Sequence, residues 1–329
     1  MNAAVIAVDG GASKTHLALL ARDGELLRLV RGPASSPQNL GLERAVGALN
    51  ELYHEAGGNG LGADVAQLNV SGVDFPADED ALRQAIEARG WAKRTIVDND
   101  VFAVLRAGTE RGWGVAVVCG SGINCVGVDA AGRHARFPAL GAITGDWGGG
   151  SDVGSEALFV AARSQDGRGP RTTLERAVPS HFGLETPDEV AEAIYRGRIP
   201  RERLLELPPL DFAEAERDEV AAGIVERIAS EVVAMARVAL DRLELSGGEA
   251  QVLLGGGLLQ SGDGRLSEAV AHGLRQVAPA VSVAVTSSPP IVGAALLGLD
   301  AIDASAGAHD RARRELEDAV RTERGGSDG

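Results

Sequence analysis

Asp9-Gly10-Gly11-Ala12-Ser13-Lys14-Thr15 stands close to the start of the chain, directly behind the apolar run Ala3-Ala4-Val5-Ile6-Ala7-Val8. An acid, two glycines, a lysine and two hydroxyls crowded into one turn can hold an anion. Successive backbone N–H groups in a glycine turn form a nest, and Ser and Thr hydroxyls add donors. Two further turns carry the same chemistry, Gly120-Ser121-Gly122-Ile123-Asn124 and Gly255-Gly256-Gly257, each again behind an apolar strand pattern. None is a Walker A loop, because Lys14 follows Ser13 where that motif has glycine, and none is a GxGxxG opening a helix. A single glycine turn needs only a positive φ to explain it. Three of them behind three strands point to phosphate.

Among the carboxylates, Asp9, Asp100 and Asp146 each end or follow a strand or glycine turn, where a side chain can point into a cleft. Most other acids read as solvated helix faces. Magnesium is commonly held by one or two carboxylates together with phosphate oxygens and waters, so Asp9 beside a phosphate turn is a sensible metal-side acid. Phosphoryl transfer to an alcohol also needs a carboxylate within hydrogen-bond reach of the hydroxyl, to orient it and accept its proton. Asp100, at a strand-to-helix junction, is the candidate. Its alternative role is helix N-cap, which Asp often fills, although Asp98 or Asn99 can cap in its place.

The elements that position these residues follow from periodicity. THLALLARDGELLRLVRG reads as two antiparallel strands joined by a two-residue turn at Asp23-Gly24. Helices are predicted around Leu42–Ala56 and Glu79–Ala88, with strands at Ala66–Val70 and Thr95–Val97. The order then restarts in GWGVAVVCGSGINCVGVDAAGRHARF, giving strand, glycine turn, strand, turn, strand, so the two halves read as structural copies. Apolar positions from Val220 to Leu243 step by three or four, a long amphipathic helix over Glu214–Leu243. A strand in AQVLLGGG, a helix over Arg265–Val277, a strand at Ser282–Thr286 and a helix from Pro290 complete the pattern. Strands alternating with helices make this an α/β protein with a parallel portion. The expected domains are 1–109, 110–304 with a helical insertion, and a charged tail over 305–329, with Thr322–Gly329 disordered.

The chain has 329 residues, 44% hydrophobic and 24% charged, which suits two soluble domains of ordinary size. Its 44 glycines are about double the usual share, consistent with many tight turns. A net charge of -15 argues against nucleic acid or an anionic membrane as partner. Only Cys119 and Cys125 are present, no apolar run is long enough to span a bilayer, and MNAAVIAVDG lacks the features of a secretory signal, so a reducing cytoplasm is expected. The six histidines show no HExxH-like spacing, so no zinc site is expected.

The ordered set DGGASKT, SGVD, VDNDVFA, CGSGIN, GAITGDWGGG, LLGGG and PPIVGAALLG, spread over residues 4 to 300, resembles the N-acetylglucosamine kinase branch of the BadF/BadG/BcrA/BcrD ATPase family. That family sits within the actin-like, ribonuclease H-like sugar kinase superfamily. The resemblance implies two actin-like ATPase domains with a cleft between them, closing on ATP and sugar, and a homodimer. It implies that Gly10, Gly11, Ser13, Lys14 and Thr15 form the first phosphate loop, that Gly120, Ser121 and Gly122 form the second, and that Gly255, Gly256 and Gly257 face adenosine. It further implies that Asp100 is the base toward the sugar 6-hydroxyl, and that Asn39, Ser71, Asn124, Gly141 and Asp146 contact the sugar. The implied reaction is Mg²⁺- and ATP-dependent phosphorylation of an amino sugar, N-acetylglucosamine before glucosamine. One departure stands out: animal members carry Gly-Trp-Gly where this chain has Ala139-Leu140-Gly141, which alters the wall facing the acetamido group. Trp147 is a candidate to cover the sugar, with a core position as its alternative.

Two other readings compete. Family members that activate 2-hydroxyacyl-CoA dehydratases hold a [4Fe–4S] cluster with cysteines from two subunits. Here Cys119 and Cys125 flank the second glycine turn and read as small core residues. A non-catalytic sugar-responsive regulator or ATP-binding scaffold is the other. The first strand begins by Ala3, which leaves a preceding helix-turn-helix unexpected, and three well-placed acids disfavour a scaffold.

Overall fold

A computed structural model describes residues 3–58, 60 and 62–326. The chain begins with β1 (Val5–Gly10), β2 (Lys14–Leu20), β3 (Leu26–Pro33), α1 (Pro37–Leu40), α2 (Leu42–Glu55), β4 (Ala63–Val70), α3 (Pro76–Glu87), β5 (Ala92–Asn99) and α4 (Asp100–Gly108). Its middle forms β6 (Gly114–Cys119), β7 (Ile123–Val128), β8 (His134–Arg136), α5 (Gly150–Asp166), α6 (Leu174–His181), α7 (Pro187–Tyr195), α8 (Pro208–Glu214), α9 (Glu219–Arg242), β9 (Gln251–Gly255), α10 (Gly264–Val277) and β10 (Ser282–Val285). It ends with α11 (Pro290–Asp300) and α12 (Ala306–Gly326). These elements form two compact units, Met1–Gly114 with Thr286–Gly329, and Val115–Val285.

In the first unit the strand order is β3-β2-β1-β4-β5. β2 runs antiparallel to β1, and β1, β4 and β5 are parallel. The apolar run in β1 is buried on both faces, which is why it shows no polar alternation. Ile6 and Val8 join Leu49 of α2 and Leu82 of α3 in one core, while Val5 and Ala7 join Ile291 and Leu299 of α11 and Leu316 of α12 in another. In the second unit the order is β10-β9-β6-β7-β8, with β6, β9 and β10 parallel. Read from the other edge, this is the order of the first sheet, so the expected duplication of element order is present.

Three local expectations change. The first hairpin closes on three residues rather than two, because Ala21 N–H donates to the Glu25 carbonyl and Gly24 takes a φ of 82°. That is the three-residue loop with a left-handed glycine. The long helix is split, since Asp218 caps α9 by accepting from the N–H groups of Val220 (2.8 Å) and Ala221 (3.1 Å). The segment 305–329, expected as a charged tail, is helical over Ala306–Gly326, and only 327–329 of the segment expected to be disordered lie outside the described residues. α12 forms because Ala308, Ala312, Leu316 and Val320 make a buried stripe against the first unit.

The unit boundaries also differ from 1–109 and 110–304. α11 and α12 belong with the first sheet, although β10 precedes them in the chain. α11 reaches its seat because it is lined with small residues: a Cβ on Gly293 would lie 1.8 Å from the carbonyl oxygen of Ala103 in α4.

Candidate functional site

β1, β4 and β5 are adjacent and parallel, about 4.8 Å apart, and ligands of open α/β sheets bind at the carboxyl ends of such strands. Asp9 lies at that end of β1, Ser71 and Asp74 follow β4, and Asp100 follows β5 as the first residue of α4. Asn99 caps α4: its Oδ1 accepts from Val101 N–H at 3.1 Å, and its amide donates to Asp74 at 2.8 Å. Capping therefore falls to Asn99, and Asp100 is released from it.

Burial pushes the Asp100 carboxyl up from 3.8 to about 7, the charges of Asp9 and Asp74 add to the rise, and backbone N–H groups of Asp100 and Val101 oppose it. A carboxylate poised near neutrality suits proton acceptance at physiological pH. Asp74 has no role in the sequence reading, which took only Ser71 from SGVD. Its signal was available: like Asp9 and Asp100, it is an acid at or just past the carboxyl end of a parallel strand.

Around these acids the first glycine turn is braced from within. Gly11 N–H donates to the Lys14 carbonyl (2.9 Å), Ser35 N–H to the Gly11 carbonyl (3.2 Å) and Ser71 N–H to the Gly10 carbonyl (2.7 Å). A Cβ on Gly10 would lie 2.6 Å from Ser35 Oγ. Ser13 and Lys14 are exposed at the tip. Thr15 corrects the sequence reading: it is buried, and its Oγ1 lies 2.7 Å from the Pro33 carbonyl and 2.8 Å from Ser35 Oγ. Its hydroxyl anchors β2 to the following loop and is not offered to a ligand. Gly11 also spends its N–H on the turn itself. Asn39 is exposed on α1, whose Gln38 and neighbouring Ser36 press on Gly72, so the Asn39 helix abuts the Ser71 turn. Ser71 Oγ is buried without a hydrogen-bond partner among the described residues.

The second unit gathers the remaining residues. Gly120, Ser121 and Gly122 are exposed in the turn from β6 to β7, and the carbonyls of Gly120 and Ser121 accept from Gly150 N–H (2.9 Å) and Ser151 N–H (3.0 Å) at the start of α5. Gly255 ends β9, and Gly256 has a φ of 84° with its Cβ position only 2.3 Å from the Cys119 carbonyl oxygen. No other residue type fits there without displacing β6. Gly257 is exposed beside it. Asn124 is the second residue of β7, its Oδ1 accepting from Cys125 N–H at 2.7 Å. The Gly141 carbonyl accepts from Asp146 N–H at 3.0 Å, and the Thr144 hydroxyl bonds the Asp146 carboxylate. The guanidinium of Arg227, from α9, stacks 3.9 Å over the Trp147 ring, so one face of that ring is already covered.

Cys119 and Cys125 are both buried; burial pushes the Cys119 thiol up to about 12 and raises Cys125 as well. Cluster ligation requires accessible thiolates, so the iron–sulfur reading does not fit these cysteines. Among the described residues no three His, Cys, Asp or Glu side chains are grouped to hold a metal by themselves. Asp9, with Asp74 and Asp100 in electrostatic reach, instead fits a hydrated Mg²⁺ that takes its other ligands from phosphate and water. No described helix is long and apolar enough to cross a membrane.

The sequence profile of the BadF/BadG/BcrA/BcrD ATPase family matches residues 6–298. An N-acetylmuramic acid/N-acetylglucosamine kinase from Clostridium acetobutylicum is 29% identical over 264 residues, 78% of this chain and 86% of the relative. N-acetyl-D-glucosamine kinase from Dictyostelium discoideum is 24% identical over 310 residues, 90% of this chain and 97% of the relative. Among solved structures, a candidate N-acetylglucosamine kinase from Chromobacterium violaceum matches with a TM-score of 0.71 at 24% identity, covering 89% of this chain and 98% of that one. A ROK family glucokinase from Streptomyces griseus, in complex with glucose and AMPPNP, matches with a TM-score of 0.53 at 16% identity, covering 91% and 98%. The shared architecture is the two-domain actin-like α/β fold.

Proposed function

The chain belongs to the BadF/BadG/BcrA/BcrD ATPase family, and from that premise we propose that it is an ATP-dependent kinase that phosphorylates the 6-hydroxyl of an amino sugar, N-acetylglucosamine first and glucosamine second. The kinase names of the Clostridium and Dictyostelium relatives support the substrate class. The observation that carries the reading is Asp100, a carboxyl raised to about 7 at the strand ends that also bear Asp9 and Asp74.

In the first unit Asp100 accepts the proton of the sugar hydroxyl as its oxygen bonds to the γ-phosphorus and the bond from that phosphorus to the β–γ bridging oxygen breaks, releasing ADP. Ser71 Oγ, buried and unpartnered, is ready to bond a sugar hydroxyl, and Asn39 is the second sugar contact in this unit. Gly10, Ser13 and Lys14 hold the transferring phosphates, and Asp9 holds the water shell of Mg²⁺. Bound magnesium neutralises charge developing on the β- and γ-phosphates. In the second unit Gly120, Ser121 and Gly122 present amides to phosphate, Gly255, Gly256 and Gly257 form the adenosine floor, and Asn124, Gly141 and Asp146 bind sugar. A homodimer and a cytoplasmic location belong to the same reading.

An ADP-release screen over hexoses, hexosamines and their N-acetyl forms tests it, with Asp100→Asn as the control. Turnover on an amino sugar that falls by about 10²–10⁴-fold in the variant, with sugar affinity retained, is the expected result. No sugar-dependent ADP release, or an unimpaired variant, refutes it.

A further inference from the structure

His16 and Asp9 are direct cross-strand partners on β2 and β1, and Nδ1 of His16 lies 3.9 Å from Oδ2 of Asp9. Opposed residues of an antiparallel pair project to the same face. The His16 side chain is buried, at 6% exposure. Its other nitrogen, Nε2, lies 3.4 Å from Oε2 of Glu323 in α12. That oxygen is itself buried and has no hydrogen bond among the described residues, so the imidazole is its partner at ion-pair distance.

The placement of Glu323 is not explained by the packing of α12. The buried stripe of that helix runs Ala308, Ala312, Leu316, Val320, and the next inward position falls on a carboxylate instead of a small apolar residue. Turning a carboxylate oxygen inward is costly without a charged or hydrogen-bonding partner. A histidine between two acids supplies one, and it ties α12 to the acid at the end of β1.

We propose that His16 and Glu323 are positioning residues that hold the Asp9 carboxylate in its orientation toward magnesium-bound nucleotide. The proposal rests on the role given to Asp9 above. Neither side chain touches nucleotide. The ring restrains the Asp9 carboxylate from one side, and Glu323 fixes the ring, as an outer carboxylate fixes a histidine behind a metal site. The last turns of α12 thereby serve phosphate handling as well as packing.

The test measures Mg²⁺-dependent binding of a fluorescent ATP analogue to the full chain, alongside KM for ATP, KM for sugar and Tm. Glu323→Ala should weaken Mg²⁺-dependent nucleotide binding by about 3–10-fold, below the 10–100-fold typical of outer-shell partners because the contacts are long. Sugar KM should stay the same. His16→Gln should do likewise, and the double variant should be no worse than His16→Gln alone, as coupled residues are non-additive. Glu323→Gln, which keeps an acceptor, should recover part of the loss, and Asp318→Ala on the exposed side of α12 should change nothing. A Glu323→Ala protein with lower Tm and unchanged nucleotide binding, or two substitutions whose effects simply add, overturns the proposal. If Asp9→Asn itself leaves Mg²⁺-dependent binding intact, the reading of Asp9 fails and this one with it. If Asp9→Asn abolishes binding while Glu323→Ala spares it, this proposal alone fails.

Discussion

Oγ1 of Thr15 lies 2.8 Å from Oγ of Ser35, twenty residues away along the chain, and both residues are buried beside the first glycine turn. The turn is thus held by a hydroxyl pair beneath it. Thr15→Val keeps the shape and removes the bonds to the Pro33 carbonyl and the Ser35 hydroxyl, leaving two buried polar groups without that partner. Such a loss costs about 1–3 kcal/mol. Denaturant unfolding should show that drop, with kcat reduced little; full stability with lost ATP binding would instead make Thr15 a ligand contact.

Ser71 gives the opposite sign. Its Oγ is buried without a partner, so the hydroxyl costs stability in the free protein. Ser71→Ala should leave Tm unchanged or raise it while increasing the sugar KM by about 5–10-fold, the worth of one neutral hydrogen bond of about 1–1.5 kcal/mol. A lower Tm with normal KM would show that the hydroxyl serves the fold.

The third glycine turn offers an internal control. Gly256 has a positive φ and no room for a Cβ, whereas the Cβ position of Gly257 meets nothing within 4 Å. Gly256→Ala should destabilise by about 1–3 kcal/mol or more, and Gly257→Ala by a small fraction of that. Thermal unfolding of the pair decides it; equal shifts would contradict the packing described.

Asp211, on α8, sets a pH dependence of stability. It is fully buried, neither carboxylate oxygen has a hydrogen bond among the described residues, and burial, then the charges of Asp218 and Glu156, push its carboxyl from 3.8 to about 8. The folded state binds this proton more tightly than the unfolded chain does. Its contribution is therefore fully present below about pH 4 and is lost as pH rises through about 8. Unfolding free energy should fall across that window by an amount on the order of a few kcal/mol. Asp211→Asn should flatten the slope, and identical pH profiles for the two proteins would refute the assignment.

Much of the site was readable because its markers are local. An apolar run ending in an acid and glycines announces Asp9 and its turn, an apolar run ending in acids at a strand-to-helix junction announces Asp100 after β5, and one ending in glycines announces Gly120 after β6. Asp74 escaped because its turn, SGVD, carries a single glycine and gave weaker punctuation. The direction of the Thr15 hydroxyl was unreadable because Ser35, its partner, arrives from the next connection.

From the sequence alone came the order of the strands and of most helices outside 150–213, the duplicated strand pattern and the three turns, since each depends on neighbours within a few residues. Tertiary structure alone assigned α11 and α12 to the first sheet, made α12 a helix instead of a loose tail, and raised the Asp100 carboxyl, first by burying it and then by bringing Asp9 and Asp74 near it. Those outcomes depend on burial and on charges far apart along the chain, and periodicity carries no record of which distant surfaces will exclude water together.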